Sequence, residues 1–190
     1  MVDQGIIRFA KIVIAGDPAV GKTSLRARYL GHGFKIEYMQ TLGADFAIYE
    51  TPIGGTAIRW QIWDLAGHAK FDDVLKRFYY GSFGAVVVYD ATRAETRENI
   101  FSWVRDIWAH STYREKIPIV LLGNKIDLKD LIVTKTEIGE ELGKSLALER
   151  GGPVPHFETS AKTGHMVKEA FDELGRLVIE FTNKLPADQE

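Results

Sequence analysis

The chain has 190 residues, 45% of them hydrophobic and 26% charged, with a formal net charge of −2. That is the size and make-up of one globular domain able to bury a core, and it argues against disorder, a fibre or the basic surface of a nucleic-acid binder. The absence of cysteine excludes disulfides, thiolate zinc sites, a cysteine nucleophile and any lipid anchor on sulfur. No apolar run approaches the roughly 18–20 residues that span a bilayer. The start, Met1-Val2-Asp3-Gln4-Gly5, lacks a signal-peptide layout. A cytoplasmic monomer is the expectation.

In chain order, Phe9–Ala15 is an apolar stretch carrying one charge, Lys11, and ending at Gly16, which predicts a buried first strand. Lys22–Leu30 predicts a helix, broken at Gly31-His32-Gly33. Ala44–Tyr49 and Ala57–Leu65 read as two strands, with the turn-forming cluster from Thr51 to Thr56 between them, hence an antiparallel hairpin. Phe71–Tyr80 reads as helix. Ala85–Tyr89 and Ile117–Leu122 are wholly apolar runs suited to strands covered on both faces. Ile100, Trp103, Val104, Ile107 and Trp108 recur at the spacing of one buried helical stripe, as do Val167, Ala170, Phe171, Leu174, Leu177, Val178 and Phe181. Thr134 to Glu137 fits a capping box for a helix ending near Gly151-Gly152. Strands alternating with helices predict a three-layer α/β fold on a mostly parallel sheet, and no repeat, linker or second domain interrupts residues 1–190.

Gly16-Asp17-Pro18-Ala19-Val20-Gly21-Lys22-Thr23 matches G-x-x-x-x-G-K-[ST] between a strand and a helix. Glycines let backbone N–H groups turn inward around phosphates, and the helix N-terminus adds partial positive charge. Gly16, Ala19, Val20, Gly21, Lys22, Thr23 and Ser24 are the expected phosphate cradle. In it Lys22 would reach the β- and γ-phosphates and the Thr23 hydroxyl would bind Mg²⁺. The plainer alternative is a glycine turn. Asn124-Lys125-Ile126-Asp127 then places N-K-x-D at the end of an apolar strand, the edge where α/β sheets bind ligands. The Asp127 carboxylate can accept from guanine N1–H and the 2-amino group, donors that adenine lacks. Asn124 would tie the loop and contact N7, and the Lys125 stem would lie along the base. Alone, N-K-x-D is also compatible with an ordinary polar loop. The pair argues against a P-loop kinase.

With both motifs in place, the chain resembles the Ras superfamily of small GTPases, its Rab-like branch most closely, over residues 8–184. The resemblance implies a six-stranded sheet with one antiparallel edge strand and about five helices. It also implies GTP/GDP and Mg²⁺ as ligands. Thr159-Ser160-Ala161-Lys162 is similar to the third guanine-binding segment, with Ser160, the Ala161 N–H and the Lys162 stem at the base. Residues Tyr38 to Phe46 look like switch I. In that match Tyr38 joins the nucleotide site, and Thr41 binds Mg²⁺ by its hydroxyl and the γ-phosphate by its N–H. Phe34 falls where the family stacks an aromatic on guanine; capping a small apolar cluster is the alternative. Trp63-Asp64-Leu65-Ala66-Gly67 looks like the start of switch II, with Asp64 holding Mg²⁺ through water and the Gly67 N–H on the γ-phosphate; a structural turn aspartate is the alternative for Asp64.

Strand alternation puts Trp63 on the polar face with Arg59 and Gln61, opposite Ile58, Trp60 and Ile62. Phe46, Trp63 and Phe78 match an aromatic trio that docks effectors in Rab-like proteins; helix packing over Trp63 is the alternative. An activating protein and an exchange factor are further expected partners. Nucleic acid is not, nor is a direct cysteine-lipid membrane anchor.

Three departures stand out. His68 and Ala69 replace the usual switch II glutamine and its neighbour, and Pro18 stands where many members carry a small residue. The stretch Leu185–Glu190 has neither cysteine nor a basic cluster. Neutral histidine has its donor and acceptor on opposite ring edges, so His68 is expected to assist the attacking water less well than glutamine. Lys22, Thr41, Gly67 and His68 form the expected catalytic set, and slow hydrolysis of GTP the expected chemistry. The alternative is a nucleotide-dependent binding module that barely hydrolyses GTP.

Overall fold

A computed structural model describes residues 8–33, 43–67 and 72–185. The strands are β1 (Arg8–Gly16), β2 (Ala44–Ile53), β3 (Thr56–Leu65), β4 (Gly84–Asp90), β5 (Ile119–Asn124) and β6 (His156–Thr159). The helices are α1 (Lys22–Tyr29), α2 (Asp72–Tyr79), α3 (Ala94–Glu98), α4 (Ile100–His110), α5 (Thr136–Arg150) and α6 (Val167–Thr182). Asn99, between α3 and α4, keeps helical dihedrals, so the two form one interrupted helix and the described residues carry five helical bodies.

One six-stranded sheet runs in the order β2-β3-β1-β4-β5-β6. Only the β2–β3 pair is antiparallel; every other neighbouring pair is parallel. Alternation along the strands feeds two cores. On one face Ile12, Ile14, Ile62, Val86, Val88 and Leu122 pack with Leu25 and Tyr29 of α1 and Phe171, Leu174 and Val178 of α6. On the other, Val13, Leu65, Val87, Tyr89 and Leu121 pack with Ile100, Val104 and Ile107 of α4 and Leu142 and Leu146 of α5. Fully burying each such side chain contributes about 1.5–3 kcal/mol. These cores can therefore offset the cost of the two buried carboxylates, Asp64 and Asp90, at the strand ends.

The observed boundaries differ from the expected ones in four places. Thr51, Pro52 and Ile53 belong to β2, paired with Ile58, Ala57 and Thr56, and the turn is only Gly54-Gly55, both at positive φ. Pro52 is tolerated because β2 is the sheet edge. β5 starts after Pro118 and runs two residues further, to Asn124. The helix predicted from Phe71 is α2; Phe71 itself lies outside the described residues. Thr134 does not open a capping box. The N–H groups of Val133 and Thr134 both donate to Ala91 O at 3.0 Å, pinning this segment to the end of β4. Helix α5 therefore begins after Lys135, which makes no side-chain cap, and the Thr134 hydroxyl is buried without a partner. The predicted end near Gly151 is observed, with Gly151 in the left-handed conformation.

Candidate functional site

Because β1, β3, β4, β5 and β6 are parallel, their carboxyl ends lie along one sheet edge, and the polar residues that follow them converge there. The turn from β1 into α1 carries the phosphate-loop motif. Gly16, Ala19 and Gly21 adopt φ of 139°, 61° and 100°. A Cβ at Gly16 would collide with Val88 O, and one at Gly21 with the Asn124 amide, so both positions need glycine for space as well as conformation. Lys22 is buried, and its ammonium donates to Gly16 O and Asp17 O, each at 2.8 Å. Burial lowers its pKa to about 8 against the raising pull of Asp64 and Asp17.

Asp64, at the end of β3, is fully buried. One carboxylate oxygen accepts from the Thr23 hydroxyl at 2.5 Å, while Oδ1 has no hydrogen-bond partner. Burial raises the Asp64 pKa, and the bond from Thr23 opposes that shift. A buried, unpartnered carboxylate oxygen beside a hydroxyl is a donor pair of the type a hard divalent cation such as Mg²⁺ takes, with its remaining positions left to waters and phosphate.

The N-K-x-D loop and the Thr159–Lys162 segment meet the loop after β1 through Asn124. Its amide nitrogen donates to Val20 O at 2.8 Å, and its oxygen accepts from the Ala161 N–H at 3.2 Å and the Thr159 hydroxyl at 3.4 Å. Asp127 Oδ1 accepts from the Ser160 hydroxyl at 2.6 Å, which presents the carboxylate beside the Ser160–Lys162 turn. Arg28 of α1 donates to Ala161 O at 2.9 Å and to Lys162 O at 2.5 Å, bracing that turn from below. Lys125, at φ 72°, pairs with Asp90 at 2.6 Å.

Gly67 lies directly on the phosphate loop. A Cβ there would sit 2.7 Å from Asp17 O and closer still to the Asp17–Pro18 peptide bond. Ser24 is in the first turn of α1. Phe34, Tyr38, Thr41 and His68 lie outside the described residues.

The aromatic trio forms as the motif match implied. Trp63 stacks on Phe46 at 5.0 Å between ring centroids and tilts against Phe78 at 4.9 Å. Trp63 is half-buried and its indole N–H is unpartnered, whereas Phe46 is 49% exposed. Helix α2 thus covers part of the tryptophan, and Phe46 is the open member.

Several site residues escaped the sequence reading. Asp90 is almost wholly buried. Burial raises its pKa, but bonds from Lys125 and Thr92 outweigh that and leave it lowered. It also accepts from Arg93, whose other nitrogen donates to Pro18 O at 2.9 Å. An aspartate closing an apolar strand was the available signal, whereas Asp64 was marked by its match to the start of switch II. Asp17 accepts from Asn99 Nδ2 and Trp103 Nε1, both at 2.8 Å. Trp103 therefore flanks the buried stripe of α4 rather than joining it, and helical spacing alone gives no sign of this.

A cavity of about 720 Å³ opens among Arg114, Lys116, Arg150, Phe181 and Lys184 and shares no residue with this edge.

The Ras family model matches residues 11–180. The chain is 38% identical over 174 residues to the Ypt/Rab-type GTPase YPT7 of Saccharomyces cerevisiae, covering 90% of this chain and 81% of that protein. It is 35% identical to human Ras-related protein Rab-8B, with 92% and 80% covered. It is 36% identical over 190 residues to Ras-related protein RABA2c of Arabidopsis thaliana, with 100% and 84% covered.

Proposed function

The chain belongs to the Ras family, as a Rab-like small GTPase, and on that premise we propose that it is a guanine-nucleotide switch that binds GTP and GDP and hydrolyses GTP slowly. The observation that carries this reading is the junction at Asn124. One amide binds the phosphate loop at Val20 and the base-binding turn at Ala161 and Thr159, so one ligand with both phosphates and a guanine edge fits the two motifs together.

In this reading Asp127 accepts from the guanine N1–H and 2-amino group, held in place by Ser160. The Ala161 N–H, now on Asn124, lies at the same turn. The backbone of Ala19–Thr23 cradles the inner phosphates, and Lys22 exchanges its two carbonyl partners for β- and γ-oxygens. Phosphoryl transfer asks mainly for positioning and charge neutralisation, and a buried ammonium supplies both. Thr23 and Asp64 would hold Mg²⁺, with Thr41 joining them in the triphosphate state; the ion, when bound, neutralises charge on the phosphates. Gly67 N–H would meet the γ-phosphate, and His68 would face the attacking water. With its donor and acceptor diverging, His68 would serve water less well than glutamine, so hydrolysis should be no faster than the roughly 10⁻⁴ s⁻¹ of an unassisted Ras-like site. Arg93 is tied to Asp90 and Pro18, so it is not free to reach the γ-phosphate, and an activating partner would supply that charge. Effectors would read Phe46, Trp63 and Phe78 next to the switches.

The test is to denature the purified protein and identify the released nucleotide, then to compare displacement by GTP and ATP. Guanine nucleotide released, with ATP failing to compete, supports the reading. Equal competition by ATP and GTP refutes it.

A further inference from the structure

The residue that opens the phosphate loop carries a charge that the nucleotide reading does not use. Asp17 points its carboxylate away from the cradle, toward the α3–α4 junction. There Asn99 Nδ2 donates to one oxygen and Trp103 Nε1 to the other, both at 2.8 Å. The two donors are four residues apart on one helical face. Hydrogen bonds to an ionised acceptor are the strong class, and an indole N–H is a donor only, so Trp103 has no other polar role at this position.

The next residue shows why the loop needs this hold. Pro18 has no N–H, so no ligand can anchor it through its backbone donor. Its carbonyl is taken by Arg93. The Asp17 carbonyl in turn receives the Lys22 ammonium. On the other side, the Asp17–Pro18 peptide bond lies against Gly67 so closely that no Cβ fits between them. Any shift of residues 17 and 18 is therefore passed to Gly67, whereas Lys22 gives up the Asp17 carbonyl once phosphates are bound. The turn at Ala19–Gly21, set by its own left-handed dihedrals and by Asn124, is not held through this contact.

We propose that Asn99 and Trp103 are positioning residues for the phosphate loop: by holding both oxygens of Asp17 they seat the Asp17–Pro18 peptide against Gly67 and set how much more tightly triphosphate is bound than diphosphate. This rests on the guanine-nucleotide reading above, in which Gly67 meets the γ-phosphate. The inner phosphates, cradled by residues 19–23, are indifferent to the clasp, and the terminal one is not.

The experiment compares GDP and a slowly hydrolysed GTP analogue by displacement in the parent, Trp103→Phe, Asn99→Asp, Asp17→Asn and the double variant Asp17→Asn/Asn99→Asp, with urea midpoints measured alongside. Trp103→Phe keeps an aromatic ring and deletes one N–H. It should lower the analogue-to-GDP affinity ratio about tenfold, the lower end of what a hydrogen bond to a charged group contributes, with GDP affinity nearly unchanged. Asn99→Asp sets two carboxylates face to face and should lower the ratio further. The double variant should restore it, because the new amide at position 17 donates to the new carboxylate while its carbonyl still accepts from Trp103. A parental ratio in Trp103→Phe, equal losses for both nucleotides, or no recovery in the double variant would overturn the clasp alone, even where the urea midpoint falls. A parent that binds neither nucleotide would overturn the underlying reading, and the clasp with it.

Discussion

Gly67→Ala tests how the switch segment is seated. The added methyl would lie 2.7 Å from Asp17 O and closer to the Asp17–Pro18 peptide atoms, whereas carbon atoms rest at roughly 3.5–4 Å from their neighbours. Backbone meets backbone here, so one side must move by about 1 Å. The phosphate-loop side is held by Lys22, Arg93, Asn99 and Trp103, and bonds involving charged groups contribute about 1.5–3 kcal/mol each. On the other side, Ala66 N–H donates to Gly43 O at 2.8 Å, worth about 1 kcal/mol. The switch side therefore gives way. Its N–H leaves the position where a γ-phosphate would meet it, and misplacement by an ångström costs on the order of 10²-fold in rate. Single-turnover hydrolysis should fall by about that factor, while GDP affinity, measured by displacement of a fluorescent analogue, stays near the parental value. Parental hydrolysis in Gly67→Ala would refute the reasoning, and so would a matched loss of GDP binding.

Asp127→Asn should weaken GDP binding severely and gain affinity for xanthosine diphosphate, whose base offers one N–H and one carbonyl at that edge; competition between the two diphosphates reads this directly. Asp64→Asn removes a buried charge whose Oδ1 is unpartnered. The nucleotide-free variant should melt no lower than the parent, yet Mg²⁺ should no longer slow GDP release or raise the melting temperature of the GDP complex. Tyr89 OH and His156 Nε2 meet at 3.0 Å, and burial holds the imidazole below its usual 6.5 against the opposing pull of Glu158 and Glu140. The unfolded chain then binds the extra proton first. This contribution to stability is full above pH 6.5 and declines as pH falls through 6.5 toward the folded value. Urea midpoints on either side of that pH should show the loss in the parent and not in His156→Gln.

The phosphate loop and N-K-x-D were legible because each is a contiguous run whose chemistry is local: glycines for left-handed turns, a lysine at a helix start, a carboxylate after a strand. The sheet was legible for a similar reason, since wholly apolar runs such as Ala85–Tyr89 admit few alternatives. The clasp on Asp17 was not, because its members stand more than eighty positions apart and only tertiary packing brings them together. Trp103 illustrates the limit. Its spacing fits a buried stripe, but the stripe is wide enough that the flanking member turns its N–H to a carboxylate instead. Thr134 fails in the opposite way: the local signal for a helix start is present, but two backbone bonds to Ala91 overrule it. β6 is short and mixed in character: the resemblance implied a sixth strand, but nothing in the run His156–Thr159 marked it as that strand.

The bridge at Asn124 makes the two ends of the ligand cradle one mechanical body. Its side chain joins the loop after β1 to the turn after β6, and Arg28, one helix turn beyond the phosphate loop, grips the same turn from α1. A partner that prised up the phosphate loop would drag Val20 from the amide and loosen the base-binding turn without ever touching the base. If the chain works as the proposed switch, ejection of a nucleotide would need leverage at one end only, and the surface that applies it would be able to lie far from the guanine.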